Sequence, residues 1–355
     1  SVTVMVITCP HALGLAIPLV IAVSTGLAAT HGFIIRNRTA FENARRLEAV
    51  IFDKTGTLTR GEFEVSSVIR LGGTCDEDKL LAYAASLEGL SEHPIGKAIA
   101  GATDARFPVD DFSSMPGKGV FGTIEGHEVM VVSAMHLEEL KGSIPKERIG
   151  KPSSEGKTIV FVLVDGEVCG AVAMGDVIRP ESKEAIAKLK EMGLECIMLT
   201  GDREEVAAHV SAELGIDEFF SEVLPDKKAE KVREIQARDI LVAMVGDGVN
   251  DAPALAEANV GIAIGAGTDV AIEAADIILV KNNPGDVVSV IELGRATYRK
   301  MVQNLIWATG YNAVAIPLAA GVLYSAGILL SPAAGAILMS LSTVIVAINA
   351  RLLKV

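Results

Sequence analysis

Asp53 opens the run DKTGTLT, residues 53–59, directly after the apolar segment Leu47–Phe52. An aspartate so placed can attack phosphorus through a carboxylate oxygen and keep the phosphoryl group as an acyl phosphate. Lys54, Thr55 and Gly56 follow it in a turn of the kind whose backbone N–H groups cradle phosphate. An anion attacking an anion needs cations and donors beside it. The chain offers Lys228 in LPDKK, Thr200 and Gly201 in TGD, and the acidic pair Asp247 and Asp251 in GDGVNDAPAL. Oxygen-only ligands of this type suit Mg²⁺, which takes one or two carboxylates together with water and substrate phosphate. A single aspartate at a strand end is ordinarily a helix cap. Four such strings in this order, each at the end of an apolar segment or the start of a helical pattern, argue for shared chemistry.

A second group is Cys9-Pro10-His11, inside an otherwise apolar run. Pro10 has no N–H, so the carbonyl near Val6 loses its helical partner. Irregular backbone at membrane depth is tolerated where it lines a site or faces protein. Cys9 and His11 flank that break. One thiol and one imidazole form a soft-to-borderline ligand set, suited to copper, silver or zinc and poor for Ca²⁺ or Mg²⁺.

The elements that must hold these groups follow from apolarity and charge. Residues 1–30 contain no Asp, Glu, Lys or Arg, long enough to cross a bilayer. The run is too long and wrongly flanked for a signal peptide. Arg36, Arg38, Arg45 and Arg46 follow it and place that end in the cytoplasm. Two more apolar runs, 304–325 and 332–350, form a hairpin with Arg295, Arg299 and Lys300 before it and Arg351 and Lys354 after it. The first residue is Ser1 inside an apolar run, which reads as the C-terminal part of a longer protein. Half of the residues are hydrophobic and 4% are aromatic, with a mean hydropathy of +0.41, a mixture of membrane and soluble parts. A net charge of −13 argues against nucleic acid as the partner. The four cysteines, Cys9, Cys75, Cys169 and Cys196, are scattered without a CxxC, which excludes a zinc knuckle or a disulfide framework.

Short apolar segments ending at Asp53, Thr200 and Asp247 alternate with helical patterns near 180–192, 203–214, 226–237 and 252–258. That alternation predicts a parallel α/β sheet, with ligands beyond the carboxyl ends of its strands. The stretch 62–168 interrupts it with a helix near 77–90 and two hairpin patterns, one carrying the Asp-Gly turn of VDGEV. It reads as an inserted α+β domain. The expected organisation is a membrane helix at 1–30, stalk and first part of the sheet domain at 31–61, the insertion at 62–168, the second part at 169–285, a stalk at 286–303, and spans at 304–325 and 332–350.

DKTGTLT, TGD, LPDKK, GDGVNDAPAL and DVIRP (176–180) together resemble the P-type ATPases, a branch of the haloacid-dehalogenase superfamily, over nearly the whole chain. The resemblance implies Asp53 as the phosphorylated nucleophile, with Mg²⁺ on Asp53, the Thr55 carbonyl and Asp247. It implies Lys228, Thr200 and Gly201 at the phosphoryl group, and Asp251 and Asn250 at the metal end. In EGLSEHPIGKAI (88–99) and PGKGV (116–120), a His before a Pro sits in a fixed turn and two glycines permit close approach to backbone. The pair resembles the nucleotide signature of heavy-metal P-type ATPases, which places ATP against Glu88, His93, Gly117 and Gly119. The family's Gly-Asn pair has no counterpart in VVSAMHLEEL. EGKT (155–158) imitates a Walker A ending, but Lys151 stands where that loop needs its first glycine, so Lys157 receives no phosphate role.

The later spans carry Asn304, Tyr311, Asn312 and Pro317, then Met339, Ser342 and Thr343, and no charge. A divalent zinc site in hydrocarbon calls for a carboxylate; its absence beside a thioether favours copper. The YN and M…S[ST] strings and the Cys-Pro-His variant resemble copper pumps discussed for Cu²⁺, Cu⁺ and Ag⁺. That implies cargo ligands Cys9, His11, Tyr311, Asn312, Met339 and Thr343, and export from the cytoplasm across a plasma or inner membrane. The family's TGE actuator loop is not in the sequence, so these residues are not expected to pump without an N-terminal part. Alternatives are a zinc or other heavy-metal pump, a membrane-anchored phosphatase of the same superfamily, or a non-catalytic metal-binding membrane protein.

Overall fold

The structure, a computed structural model, describes residues 4–5, 11–72, 75–91, 93–115, 118–140, 149–150, 157–265, 269–328 and 330–354. The chain divides into two units, Ser1–Ile51 with Ala187–Glu195 and Asp226–Val355, and Phe52–Ile186 with Cys196–Pro225.

In the first unit, Ile277–Leu279, Val260–Ile264 and Val242–Gly246 pair in parallel. The start of Ala49–Asp53 lies next, its Ala49 N–H and that of Glu48 donating to the Leu241 carbonyl. Val242–Gly246 and Val260–Ile264 are buried at every position, which is why they read as continuous apolar runs. Helices Lys228–Gln236, Ala252–Glu257 and Asp269–Ala274 alternate with these strands. A Cβ on Gly261 would stand 2.4 Å from the Leu255 carbonyl oxygen, so only glycine lets Ala252–Glu257 lie this close to its strand. The outer edge is closed by an antiparallel strand that the sequence reading passes over, Phe33–Ile35 on Ile277–Leu279. Asp276 secures it, accepting from Asn37 Nδ2 at 2.8 Å and from the Gly261 N–H at 2.9 Å.

The same unit carries the helices His11–Thr30, Gly285–Ala320 and Pro332–Arg351. They pack through Ala12, Ala16, Ala308 and Val346, with Leu19, Leu305 and Tyr311 around them. Small residues at the contact let helices approach closely where lipid supplies no hydrophobic drive. Among the described residues, two stretches, Ala12–Thr30 and Pro332–Arg351, are long and apolar enough to cross a membrane, where the sequence predicts three. The expected stalk at 286–303 and span at 304–325 form one 36-residue helix that stops at Ala320, because Gly321 turns left-handed at φ 92°. Asn304, Tyr311 and Asn312 dilute the apolarity of its second half.

The second unit holds the end of Ala49–Asp53 beside Glu195–Leu199, which pairs in parallel with Glu218–Phe220. It also holds an antiparallel sheet in the order Thr59–Arg70, Glu167–Ile178, Thr158–Val164, His127–Ser133, Gly119–Ile124 and Asp110–Met115. Helices Glu77–Glu88 and Pro94–Gly101 cover one face over a core of Leu80, Tyr83, Leu87, Ile99, Val131 and Val172. The Asp-Gly turn forms as expected, with Asp165 at φ 52° and Gly166 at φ 81°, the geometry of a two-residue hairpin. The pairing runs from Thr59 to Ile178, beyond the expected 62–168 at both ends. The register shifts between Thr59 and Phe63 and the exposed face of this ribbon hide its alternation in the sequence.

Candidate functional site

Asp53 ends its strand 5% exposed, and the chain turns at once. Thr55 (φ −75°, ψ 127°) and Gly56 (φ 77°, ψ −19°) form a type II turn, which requires glycine at its second corner. Thr59 closes the loop, its hydroxyl donating to the Lys54 carbonyl at 2.9 Å. DVIRP and the residues after it hold the turn from outside. Arg179 donates through Nη2 to the Gly56 carbonyl at 3.1 Å and through Nε to that of Thr59 at 3.0 Å. Ser182 donates to the Leu58 carbonyl at 2.7 Å. Asp176 accepts from the Gly61 N–H at 2.9 Å and from the Thr59 hydroxyl. The nucleophile therefore sits on a loop whose carbonyls are fixed by a second segment far away in sequence.

Lys54 is equally buried and pairs with Asp202 at 2.7 Å and Asp176 at 3.5 Å. Asp202 also accepts from the Thr200 hydroxyl at 3.1 Å. Thr200 is held by backbone bonds, donating to the Phe220 carbonyl and accepting from the Val223 N–H. The TGD string thus acts on the DKTGTLT turn through Lys54. Sequence reasoning assigned no side-chain role to Lys54, Asp176, Arg179, Ser182 or Asp202. The strings that contain them were visible; their side-chain partners were not.

In the first unit, Lys228 and Asp251 form a buried pair, Nζ to Oδ1 at 2.7 Å, with Asp251 2% exposed. Asp251 Oδ2 accepts from the Gly248 N–H at 3.4 Å. A Cβ on Gly246 would lie 2.6 Å from that carboxylate, so the glycine is what admits it. Asp251 is occupied in holding Lys228. Asp247 is half-buried and Asn250 exposed. Among the described residues, Asp53 in the second unit and Asp247 and Asp251 in the first are each carboxylates with the chemistry to ligate a divalent cation. A donor set made only of oxygens fits Mg²⁺.

The second unit also contains a cavity of about 250 Å³ lined by Glu88, Ser91, His93, Lys118, Gly119 and Ser133 with apolar walls including Val120 and Val131. Glu88 ends its helix 6% exposed, and burial lifts its carboxyl to about 7 against a weaker opposing bond to Ser91. Gly96 makes room for it, since a Cβ there would stand 2.5 Å from Glu88 Oε2. His93 caps the next helix, its Nδ1 accepting from the Ile95 N–H at 3.2 Å, which leaves the proton on Nε2. Gly119 lies at φ 146° with a built Cβ 2.0 Å from the Val131 carbonyl oxygen, so backbone itself forms the wall. Ser133, in the region that lacks the Gly-Asn pair, donates its N–H to the Lys118 carbonyl at 3.0 Å. Three of the four expected nucleotide residues share this cavity; Gly117 lies outside the described residues.

Cys9 and Pro10 lie outside the described residues too, and His11 is described only as the first residue of its helix. Tyr311 and Asn312 are half-buried on the helix Gly285–Ala320, and Met339 and Thr343 on Pro332–Arg351. Asn312 Nδ2 donates to the Ala308 carbonyl at 3.4 Å and Thr343 Oγ1 to that of Met339 at 3.0 Å. Asn312 Oδ1 and Ser342 Oγ are buried with no hydrogen-bond partner.

A family model described as haloacid dehalogenase-like hydrolase matches residues 47–259, and a second of the same description matches 228–291. The chain is 63% identical over 358 residues to a copper-exporting P-type ATPase B of Archaeoglobus fulgidus, covering 100% of this chain and 51% of that protein. It is 44% identical over 357 residues to a copper-exporting P-type ATPase B of Enterococcus hirae, covering 99% and 48%. It thus spans about half the length of these curated relatives. Among solved structures, a zinc-transporting PIB-type ATPase in its E2.Pi state superposes with a TM-score of 0.84 at 33% identity, over 98% of this chain and 57% of that one. The catalytic domain of a CPx-ATPase matches with a TM-score of 0.56 at 34% identity, over 75% of this chain and 98% of that one.

Proposed function

The chain belongs to the haloacid dehalogenase-like hydrolases and, among them, to the P-type ATPases, and from that premise we propose that this protein uses ATP to export copper across a membrane. The observation that carries the reading is Asp53, buried at a strand end in a turn whose second residue is Thr55. ATP enters through its adenosine end, against Glu88, His93, Gly117 and Gly119. An Asp53 carboxylate oxygen bonds to the terminal phosphorus as the bond from that phosphorus to the bridging oxygen breaks, and ADP leaves. Thr55 has no acidic proton to give, so the acyl phosphate persists long enough to be used. A hydrolase built for turnover needs a general acid at that place.

Lys228, held by Asp251, and Thr200 with Gly201 take the transferred phosphoryl group. Lys54, Asp176 and Asp202 position the nucleophile's turn. Mg²⁺, when bound, would be held by Asp53, the Thr55 carbonyl and Asp247, with Asp251 and Asn250 in support, and would supply neutralising charge for the meeting of two anions. In the membrane, Cys9, His11, Tyr311, Asn312, Met339 and Thr343 ligate the cargo. The soft thiol and thioether, and spans without a carboxylate, support Cu⁺, Cu²⁺ or Ag⁺ over Zn²⁺. The catalytic domains between the first and second spans lie on the cytoplasmic side, in keeping with the arginines and lysines at the helix ends.

Full-length protein incubated with ATP labelled on its terminal phosphate is expected to take up acid-stable label, and Asp53→Asn to take up none. Label that survives Asp53→Asn removes the nucleophile from the scheme. ATP turnover raised by zinc alone, and by neither copper nor silver salts, reassigns the cargo.

A further inference from the structure

Asn304 is fully buried among the membrane helices, at 0% exposure, and none of its side-chain polar atoms is spare. Its Nδ2 donates to the Ala16 carbonyl of the first helix at 3.0 Å. Its Oδ1 accepts from Asn349 Nδ2 of the last helix at 2.8 Å. Asn349 Oδ1 in turn accepts from Lys300 Nζ at 2.9 Å, one turn before Asn304 on the long helix. One connected chain of bonds therefore ties all three helices together and ends on a cation. Both asparagine side chains are engaged with each other and with protein, so neither is available to coordinate an ion.

The long helix is also fastened at its other end. Val287, Val290, Ile291 and Leu293 are buried in the first unit, and Arg295 donates to the Met192 carbonyl at 3.2 Å. From Gly285 to Ala320 the helix is continuous, with its only proline at Pro317, so its base and Asn304 belong to one rod. Ala16 lies on the helix that begins at His11. At 0% exposure Asn304 has no solvent beside it to replace a broken bond, so the network tolerates discrete registers rather than gradual sliding.

We propose that Asn304, with Asn349 and Lys300, is the pin through which movement of the long helix reaches the helix that begins at His11, two residues after Cys9 in the sequence, a positioning role in transport. The inference rests on the proposed function, and its test separates the two. ATP hydrolysis by the full-length protein is measured without metal and with copper(I) or copper(II) salts, beside equilibrium copper binding. The forms compared are wild type, Asn304→Leu, Asn349→Leu, the double variant and Lys300→Gln. The leucines match the asparagines in size, and unchanged metal-free hydrolysis reports an intact fold.

The expected result is that each leucine variant binds copper within threefold of wild type while copper stimulation falls at least tenfold. The double variant is expected to fall no further than either single one, because one network has been cut twice. Lys300→Gln keeps a donor for Asn349 and is expected to retain stimulation within threefold. Stimulation preserved within twofold in both leucine variants overturns the pin. So does a parallel loss of copper binding, which would make Asn304 a ligand. A wild-type protein that no copper salt stimulates fails the proposed function instead.

Discussion

Glu88 shows how one carboxyl can be tuned by its place. Burial at a helix end lifts it from its ordinary 4.5 to about 7. The folded protein therefore keeps this proton up to about pH 7, whereas the unfolded chain releases it near pH 4.5. The stability carried by the neutral form is complete below the lower value and is lost as pH rises through the upper one. A tenfold change in proton affinity is worth about 1.4 kcal/mol, so the loss above pH 7 is roughly 3 kcal/mol. Glu88→Gln stays neutral throughout. It is expected to raise the melting temperature by several degrees at pH 8 and to leave it unchanged at pH 4. A melting difference that does not vary with pH would mean that Glu88 carries its charge in the fold. The sequence could mark Glu88 only by its place before Ser-Glu-His-Pro. The burial that raises its pKa depends on Gly96, eight residues on, where a glycine had no visible purpose.

At the scale of elements, patterning and punctuation were legible where local chemistry dictated them. The strands ending at Asp53, Leu199 and Gly246 announced themselves as apolar runs because both faces are covered. The Asp165–Gly166 hairpin was visible because its turn needs two left-handed residues. Phe33–Ile35 was not, since three residues pairing antiparallel at an edge leave no period to read. The long ribbon of Thr59–Arg70 and Glu167–Ile178 was undercut because its outer positions are polar and its register shifts. Gly119 lies between these cases: its motif was readable, its reason was not. Its Cβ would collide with the Val131 carbonyl oxygen, so Gly119→Ala must part the strands Gly119–Ile124 and His127–Ser133 at the cavity wall. A loss of about 2 kcal/mol or more is expected from the strain and clash. Affinity for a non-hydrolysable ATP analogue is expected to fall at least tenfold. Gly126, at φ 81° with open space around it, is the control. Gly126→Ala is expected to cost about 1 kcal/mol and to leave affinity unchanged. Equal affinities for the two variants would dissociate Gly119 from the nucleotide.

At the scale of the whole molecule, the chemistry is divided between bodies that the sequence interleaves. The cavity around Glu88, His93 and Gly119 is built entirely within the second unit, from residues between 88 and 160. Asp247, Asp251 and Lys228 belong to the first unit. Motif order along the chain marked the groups expected to cooperate, and the alternation of elements revealed the sheet that carries them. The insertion expected at 62–168 already set the residues of that cavity apart from Lys228, Asp247 and Asp251; what the sequence could not reveal is a boundary that passes through the strand Ala49–Asp53 rather than through a linker. The partition predicts that holding the nucleotide and using it are separable. A cavity that contains no residue of the first unit should grip adenosine whether or not the acidic groups there can bind a cation. Full-length Asp247→Asn is therefore expected to bind ADP in the absence of Mg²⁺ within twofold of wild type, measured calorimetrically. The same variant is expected to lose acid-stable labelling from ATP by at least a hundredfold. Chelating Mg²⁺ from the wild-type protein should reproduce both results. If Asp247→Asn instead abolished ADP binding, the adenosine end would depend on a carboxylate of the other unit, and the nucleotide would have to be held somewhere other than the cavity beside Glu88.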